Sequence, residues 1–218
     1  MYNFNFVYPQ FGIIIDAGHK RSRIMKKTIL VALSLFLLGQ TPAMGYTWKI
    51  DHDHSGVLFE ISHIYATIRG HFSDFSGDVV FDPKHLDKSH FNFVVKVNSI
   101  YTSNDRRDTY LRSDAFFDAN KYPVMTFKSN RISYISGNTY LLKGKLTIKD
   151  VTKNVTMDFT YWGQKKDPLR KNKMVAGFDC RFRIDRFDYH VGDGRLYKMG
   201  VVGKDVDVLI TLEVLRNK

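Results

Sequence analysis

Apolar and polar residues alternate with a period of two along most of this chain, and that pattern restricts the folds open to it. Phe178, Phe182 and Ile184 are apolar, for example, whereas the residues between them include Asp179 and Arg183. A period of two places successive side chains on opposite faces of a β-strand. One apolar face opposite one polar face is typical of an antiparallel sheet with a single wet side. The chain is therefore predicted to be all-β.

The alternation recurs often enough to predict about eight to ten strands joined by short turns rich in Gly, Pro, Asn and Asp. A sheet of this many strands removes its exposed edges by closing into a barrel. Eight strands enclose just enough room for packed side chains or one ligand. The predicted strands cover residues 46–50, 57–61, 68–75, 77–81, 91–97, 124–132, 140–148, 155–161, 178–184 and 206–214, with turns at 82–84, 136–138, 149–151 and 192–194.

One segment departs from the strand pattern. Residues 110–117 contain no Gly or Pro, Asp108 can cap a helix ahead of them, and Lys121-Tyr122-Pro123 ends the helix before a strand begins at Val124. The sequence therefore predicts one short helical segment near 107–118. Its mixture of Arg, Asp and paired Phe, set between strands, favours a lid or mouth element over an ordinary hairpin loop.

Residues 25–45 have the three parts of a secretory signal peptide. Two lysines precede a ten-residue apolar run that is too short to span a bilayer, and a small-x-small cleavage site follows. We expect residues 1–24 to be a mis-annotated upstream extension, with a genuine long leader as the alternative. Cleavage near Gly45-Tyr46 would release residues 46–218 as a single domain in the periplasm or outside the cell.

The chain is basic. Its 33 Lys and Arg against 22 Asp and Glu give a net charge of +11. Five of the basic residues and one acidic residue precede Tyr46. Residues 46–218 therefore hold 28 basic and 21 acidic residues and carry a net charge of +7. Export and the lack of RNP, KH, helix-turn-helix or zinc-finger motifs argue against nucleic acid. The basic loop 165–173 reads as a solvated hairpin that can also face anionic lipid head groups, which predicts a transient membrane-surface contact.

The only cysteine is Cys180, so an internal disulfide is excluded and stability must come from packing. Cys180 lies on an apolar strand face between Phe178 and Phe182. A cysteine in that setting behaves as a small hydrophobic residue, and we expect a buried, inert thiol.

Several short motifs are spread over about residues 46–213. They are Ile50-Asp51, His54-Ser55, His63, Arg107-Asp108, Leu111-Arg112-Ser113, Phe116-Phe117-Asp118, Lys121-Tyr122-Pro123, Leu146-Thr147-Ile148, Arg186, Val202-Gly203 and the final strand. Together these motifs resemble the YceI-like family of periplasmic polyisoprenoid-binding proteins. Three positions depart from the family pattern: Tyr110 stands where His is usual, Asp150 stands where a turn Gly is usual, and residues 187–190 blur the usual Asp-Phe-Gly.

The resemblance implies a lipocalin-like antiparallel eight-stranded barrel whose internal pocket takes an isoprenoid or another long amphipathic lipid, such as a quinone. Such a ligand needs a dry, aromatic-lined tube with a few polar groups at one end. Each buried methylene contributes about 0.8 kcal/mol, so a long tail binds tightly without specific contacts. No other cofactor is expected, and the family also suggests a homodimer.

The candidate ligand-binding residues follow from this pocket. Phe116 and Phe117 lie on the predicted helix, where one can cap the pocket while the other anchors the helix. Arg107 and Arg112 can bind a polar head group, although we favour structural ion pairs with Asp108 and Asp118. The candidate lining residues are Phe59, Phe93, Phe127, Phe159 and Phe182, each of which can equally fill a solid core.

Three alternatives stay open beside a lipid carrier. Residues 51–54, Asp-His-Asp-His, resemble a metal-binding cluster but signal no third ligand, so no metal site is predicted. An enzyme that acts on a bound lipid could use His54 or His63, yet the chain lacks G-x-S-x-G and H-E-x-x-H motifs. The third alternative is a structural or stress-response barrel whose interior is simply packed. We predict a binding protein with no catalytic residues.

Overall fold

The structure is a computed structural model that describes residues 45–218. The predicted extension and the predicted signal peptide, up to residue 44, lie outside the described residues. None of the described helices is long and apolar enough to cross a membrane. The strands are β1 (Thr47–Ile50), β2 (Gly56–His63), β3 (Ala66–Phe72), β4 (Phe75–Val80), β5 (His90–Lys96), β6 (Ile100–Tyr101), β7 (Val124–Ser136), β8 (Thr139–Ile148), β9 (Val151–Lys166), β10 (Lys173–Asp185) and β11 (Val202–Asn217).

Helical structure is sparse in this part of the chain. The two α-helices are α1 (Asp105–Arg112) and α2 (Arg195–Lys198). Single turns of 3-10 helix cover His52–His54, Leu86–Lys88, Val97–Ser99 and Arg186–Tyr189. The described residues are therefore mostly β-strand, as the sequence predicts.

All strands belong to one antiparallel sheet, which closes when β1 pairs with β11. β1 and β2 are two pieces of one strand because both pair with β11. β3 and β4 are likewise two pieces of one strand, because they pair with β2 and β1. β5 and β6 form a third interrupted strand, because they pair with β4 and β3. The β-structure is interrupted between these pieces at residues 51–55, 73–74 and 97–99. With each broken strand counted once, eight strands surround the barrel, and the predicted eight-stranded antiparallel barrel is confirmed.

One end of the barrel, here called the helical end, gathers most of the irregular structure. The amide of Ile64, in the β2–β3 turn, donates to the carbonyl of Val201. Lys149, in the β8–β9 turn, donates from Nζ to the carbonyls of Phe116 and His190, both at 2.8 Å. These bonds hold the β2–β3 turn, the segment after α1, the β8–β9 turn and the segment 186–201 together at one end.

The opposite end carries the remaining connections. They are the β4–β5 connection at 81–89, the β7–β8 turn at 137–138 and the β9–β10 hairpin at 167–172. The last of these is the predicted basic loop, and Arg170 within it is paired at 2.8 Å with Asp51. Ordered ion pairing of this kind is typical of a structural hairpin.

Helix α1 begins earlier than the sequence predicts and ends sooner. Asn104, rather than Asp108, is the N-cap, and its side chain accepts a hydrogen bond from the amide of Arg107 at 2.9 Å. Asp108 is instead buried and accepts from the amide of Thr102 at 3.0 Å. The backbone leaves the helical region at Ser113, so Phe116 and Phe117 lie in the turns that follow α1.

A cluster of aromatic rings fills the barrel at the opposite end. Phe81, which is 1% exposed, lies at its centre, and the indole of Trp48 donates to the Phe81 carbonyl at 3.1 Å. Edge-to-face and tilted ring contacts at such distances add to the stabilisation that burial provides. The rings whose centroids lie 4.9–5.9 Å from that of Phe81 belong to Phe91, Tyr140, Phe159, Tyr161 and Phe178.

The aromatic cluster predicts a large stability loss on truncation of its central ring. Phe81→Ala should lower the free energy of unfolding by about 3–5 kcal/mol, because it leaves a cavity among rigid neighbours. Tyr65→Ala, at a fully exposed turn position, should change it by no more than about 0.5 kcal/mol. Equilibrium urea unfolding followed by circular dichroism measures both. Equal effects of the two variants would show that the cluster does not stabilise the barrel.

Candidate functional site

A cavity of about 740 Å³ occupies the part of the barrel between the aromatic cluster and the helical end. Its wall is almost entirely apolar and comes from nearly every strand. The inward side chains of β2 and of the first half of β11, such as Phe59, Val206 and Val208, are only half-buried because they face this space. Pockets of roughly 300–1,000 Å³ are typical of small-molecule sites.

Most of the predicted site residues converge on this cavity. Arg112 is the exception: it does not line the cavity, and its Nη1 lies 3.4 Å from the carbonyl of Ile100. Phe159 lines the cavity and also belongs to the aromatic cluster, so it lies where the cluster closes one end of the cavity. The predicted residues that line the cavity are Phe59, Phe93, Arg107, Phe116, Phe117, Phe127, Phe159 and Phe182.

Two of these phenylalanines each face a glycine on the next strand. Phe59 pairs with Gly70, and Phe93 pairs with Gly77. A Cβ at either glycine would come within 2.5 Å of the facing ring, so no larger residue fits without displacing it. The rings therefore occupy the space that a side chain at either glycine would need.

The basic residues of the wall all lie at the helical end. They are His63 at the end of β2, Arg106 and Arg107 on α1, and Arg186 just after β10. Among the described residues, no Asp or Glu lines the cavity. The cavity therefore has an apolar body and one end of positive charge.

Arg107 takes part in a hydrogen-bonded network rather than in the predicted ion pair. Its Nε and Nη2 donate to the hydroxyl and the carbonyl of Thr102 at 2.7 and 2.6 Å, and Thr102 in turn donates to Asp108. No described carboxylate lies within 4.0 Å of the guanidinium of Arg107 or Arg112. The prediction of ion pairs with Asp108 and Asp118 is thus wrong. Thr102 stands between Arg107 and Asp108. Arg112 faces the carbonyl of Ile100 instead of a carboxylate.

Arg186 was not assigned a role from the sequence, although a signal was present. The inward residues of β10 recur at every second position through Phe182 and Ile184, and Arg186 is the next position of that series. Its Nε donates to the carbonyl of Gly203 at 2.9 Å and its Nη1 to that of Val191 at 2.6 Å. A charged residue that continues an apolar inward face points to a functional or structural role for that charge.

The acidic and histidine residues near β1 form a separate cluster outside the cavity. Ligand atoms of Asp51, His54 and Glu213 lie within 4.8 Å of one another, and Arg170 contacts Asp51 at 2.8 Å. Although burial of Asp51 opposes ionisation, hydrogen bonds from His54 and Arg170 hold the pKa of its carboxyl below the usual value. The guanidinium of Arg170 therefore already supplies positive charge to Asp51, as a bound metal ion would.

The two histidines considered for catalysis are far apart. His54 lies just before β2, and His63 is its last residue, so the whole strand separates them. Only His63 lines the cavity. The two side chains therefore do not form one acid–base site.

The YceI-like domain model matches residues 48–214 of this chain. The chain belongs to the YceI-like family. It is 31% identical over 198 residues to protein YceI of Salmonella arizonae, an alignment that covers 89% of this chain and all of that protein. The family resemblance read from the sequence motifs is therefore confirmed.

Solved structures of this YceI-like fold are similar as well. BcnA of Burkholderia cenocepacia superposes with a TM-score of 0.67 at 26% identity, covering 77% of this chain and 99% of that one. A polyisoprenoid-binding domain from Saccharophagus degradans, implicated in plant cell wall breakdown, superposes with a TM-score of 0.55 at 18% identity, covering 78% and 98%. The second likeness is one of fold.

Cys180 provides a chemical probe of the cavity wall. Burial raises the pKa of its thiol to about 12, and Sγ donates to the carbonyl of Asp158 at 3.3 Å. Since the thiolate is the reactive form, labelling by a maleimide at pH 8 should be about a thousandfold slower in the folded protein than in urea. Labelling followed by mass spectrometry measures both rates, with Cys180→Ser as the blank. Rapid labelling of the folded protein would contradict the described burial.

Proposed function

We propose that this protein sequesters or carries a long-chain isoprenoid, or a related amphipathic lipid such as a quinone, in the bacterial periplasm, and that it catalyses no reaction. The observation that carries the proposal is the cavity itself: about 740 Å³ of almost wholly apolar space with basic residues at one end only. The tail would lie against the phenylalanines, and the head group would lie at the helical end.

Two further points support a lipid ligand. The similar domain from Saccharophagus degradans is described as polyisoprenoid-binding. A tail buried in this cavity would contribute about 0.8 kcal/mol for each methylene removed from water, so affinity would grow with chain length. Length, rather than any polar contact, would then dominate the binding energy.

The alternatives fit the cavity less well. An enzyme needs polar groups that converge on a reacting atom, and no described carboxylate lines the cavity beside His63. A packed structural barrel would have no room for a ligand, whereas this barrel encloses a cavity of about 740 Å³.

Native mass spectrometry of the protein purified from a bacterial periplasm, followed by organic extraction, tests the proposal. A stoichiometric isoprenoid, quinone or fatty-acyl species would support it and name the ligand. Protein that is empty and also rejects long-chain lipids in titration would contradict it. The same spectrum reports the subunit count, and homodimerisation stays a prediction until it is recorded.

Filling the lumen should block binding. Val208→Phe places a ring in the open space from β11, and displacement of even two methylenes should weaken binding of a long-chain isoprenoid more than tenfold. Leu209→Phe makes a similar change on the neighbouring outward position, which does not line the cavity, and should bind as the wild type does. Fluorescence titration with ubiquinone measures both affinities. Unchanged binding by Val208→Phe would place the ligand elsewhere.

We also propose that the rim of the helical end, rather than the basic hairpin, makes the transient membrane contact. The rim carries the exposed residues Ile64, Tyr65 and Met199. The amide of Ile64 donates to the carbonyl of Val201, which is two residues after Met199, so these side chains lie near one another. Lys198 lies beside them without an ion-pair partner among the described residues. Apolar and aromatic tips flanked by positive charge suit an anionic lipid surface.

Vesicle flotation distinguishes the two surfaces. The double variant Ile64→Ser, Met199→Ser should reduce binding to phosphatidylglycerol vesicles several-fold, since both side chains are exposed on the rim. Leu169→Ser removes an even more exposed apolar residue from the basic hairpin at the opposite end and should have little effect. The reverse result would assign the contact to the hairpin.

A further inference from the structure

Arg186 is a buried cation that contacts no carboxylate among the described residues. The residue is 3% exposed and lines the cavity, yet no described carboxylate lies within 4.0 Å of its guanidinium. Buried charges in proteins are normally paired or coordinate a metal. An unpaired arginine inside an apolar chamber is therefore an exception that calls for an explanation.

The carboxylates nearest in sequence are engaged elsewhere. Asp185 contacts Lys204 at 2.9 Å and caps the following 3-10 turn. Asp188 contacts Lys153 at 2.6 Å. Asp193 accepts bonds from the amide and the side chain of Arg195. Asp185 shares Lys204 with Asp205, and Asp188 and Asp193 have basic partners of their own. Asp185 and Asp193 act on Arg186 only at longer range, and none of the three contacts its guanidinium.

The contacts that hold Arg186 are neutral. Its Nε and Nη1 donate to the carbonyls of Gly203 and Val191, and its guanidinium carbon lies 4.1 Å from the ring centroid of Phe187 and 5.2 Å from that of Phe116. Nη2 has no acceptor among the described residues and is not one of the fully enclosed atoms without a partner. Burial lowers the pKa of the group, as expected for a cation removed from water. The orientation of the guanidinium is fixed while part of its charge stays available.

We propose that Arg186 receives the head group of the bound lipid and that this head group carries an anionic oxygen, as a phosphate or a carboxylate does. The proposal rests on the proposed lipid-binding function and adds the ligand class. A guanidinium presents parallel N–H donors that match such oxygens, and the cavity holds no carboxylate to repel them. Arg106 and Arg107, which line the same end, add positive charge around the head group.

The competing explanation is that Arg186 only fastens the segment 186–191 to the start of β11. Its two carbonyl contacts and its stacking on Phe187 would be sufficient for that role. A fastening role predicts no preference between charged and neutral head groups. An anion-binding role predicts that this preference depends on residue 186 and not on arginines of the outer wall.

Two ligand pairs that share one tail separate these roles. Affinities are measured for geranylgeranyl monophosphate against geranylgeraniol, and for oleate against oleyl alcohol, below their micelle concentrations. Wild-type protein should bind the anion of at least one pair about tenfold more tightly or better, as a charge-assisted hydrogen bond predicts. The two pairs distinguish a phosphate from a carboxylate head group.

Variants then assign the preference. Arg186→Gln keeps donors for the carbonyls but should lose the preference while retaining affinity for the alcohol, and Arg186→Lys should keep part of it. Arg183→Gln, which removes an outward arginine of β10 that is paired with Asp207, should leave the preference unchanged. Circular dichroism checks that each variant folds.

The outcomes separate the two proposals. Wild-type protein that binds alcohols and anions equally would overturn the head-group inference, even if Arg186→Gln does not fold, and would leave lipid binding intact. A preference that survives in Arg186→Gln would overturn it as well. Protein that binds none of the four ligands, and no quinone, would contradict the lipid-binding function itself.

Discussion

The structure depends on the hydrogen bonding of β11, which joins the two ends of the sheet. β11 pairs with β10 from Asp205 to Asn217, with β2 over its first half and with β1 near its end. This closure leaves the sheet without a long free edge. It also turns one face of every strand toward the same axis, so that the apolar residues of each alternation share one interior. The cavity exists because the sheet is closed.

The interior is divided although all strands follow one pattern. At the opposite end Phe81 enters from outside the strands and meets five aromatic rings, so that half is solid. Toward the helical end the strands instead surround the cavity, and Phe59 there faces Gly70 on the neighbouring strand. The clustering of rings around Phe81 therefore distinguishes the packed half from the hollow half.

The alternation was sufficient to predict the barrel and the strand faces, and the five strand phenylalanines predicted on those faces line the cavity. Arg107, Phe116 and Phe117, which also line it, follow from the helical segment and not from the alternation. The alternation could not predict which rings fill space, because that depends on pairings such as Phe59 with Gly70 between strands. The sequence does not place the start of α1 because Asn104 and Asp108 are both good N-cap residues. Asn104 caps the helix, whereas Asp108 accepts a hydrogen bond from Thr102, six residues earlier. Arg186 was readable as the next inward position of β10, but its lack of a partner required three-dimensional contacts.

The asymmetry of charge gives the cavity a direction. An apolar tail has no preferred end in an apolar tube, so only polar groups can decide which way a lipid enters. Here the basic residues lie at the helical end and the aromatic cluster closes the other. A guanidinium held by backbone carbonyls keeps its net charge, whereas one held by a carboxylate would not. The neutral anchoring of Arg186 thus preserves a strong polar determinant that a ligand head group would meet inside the barrel.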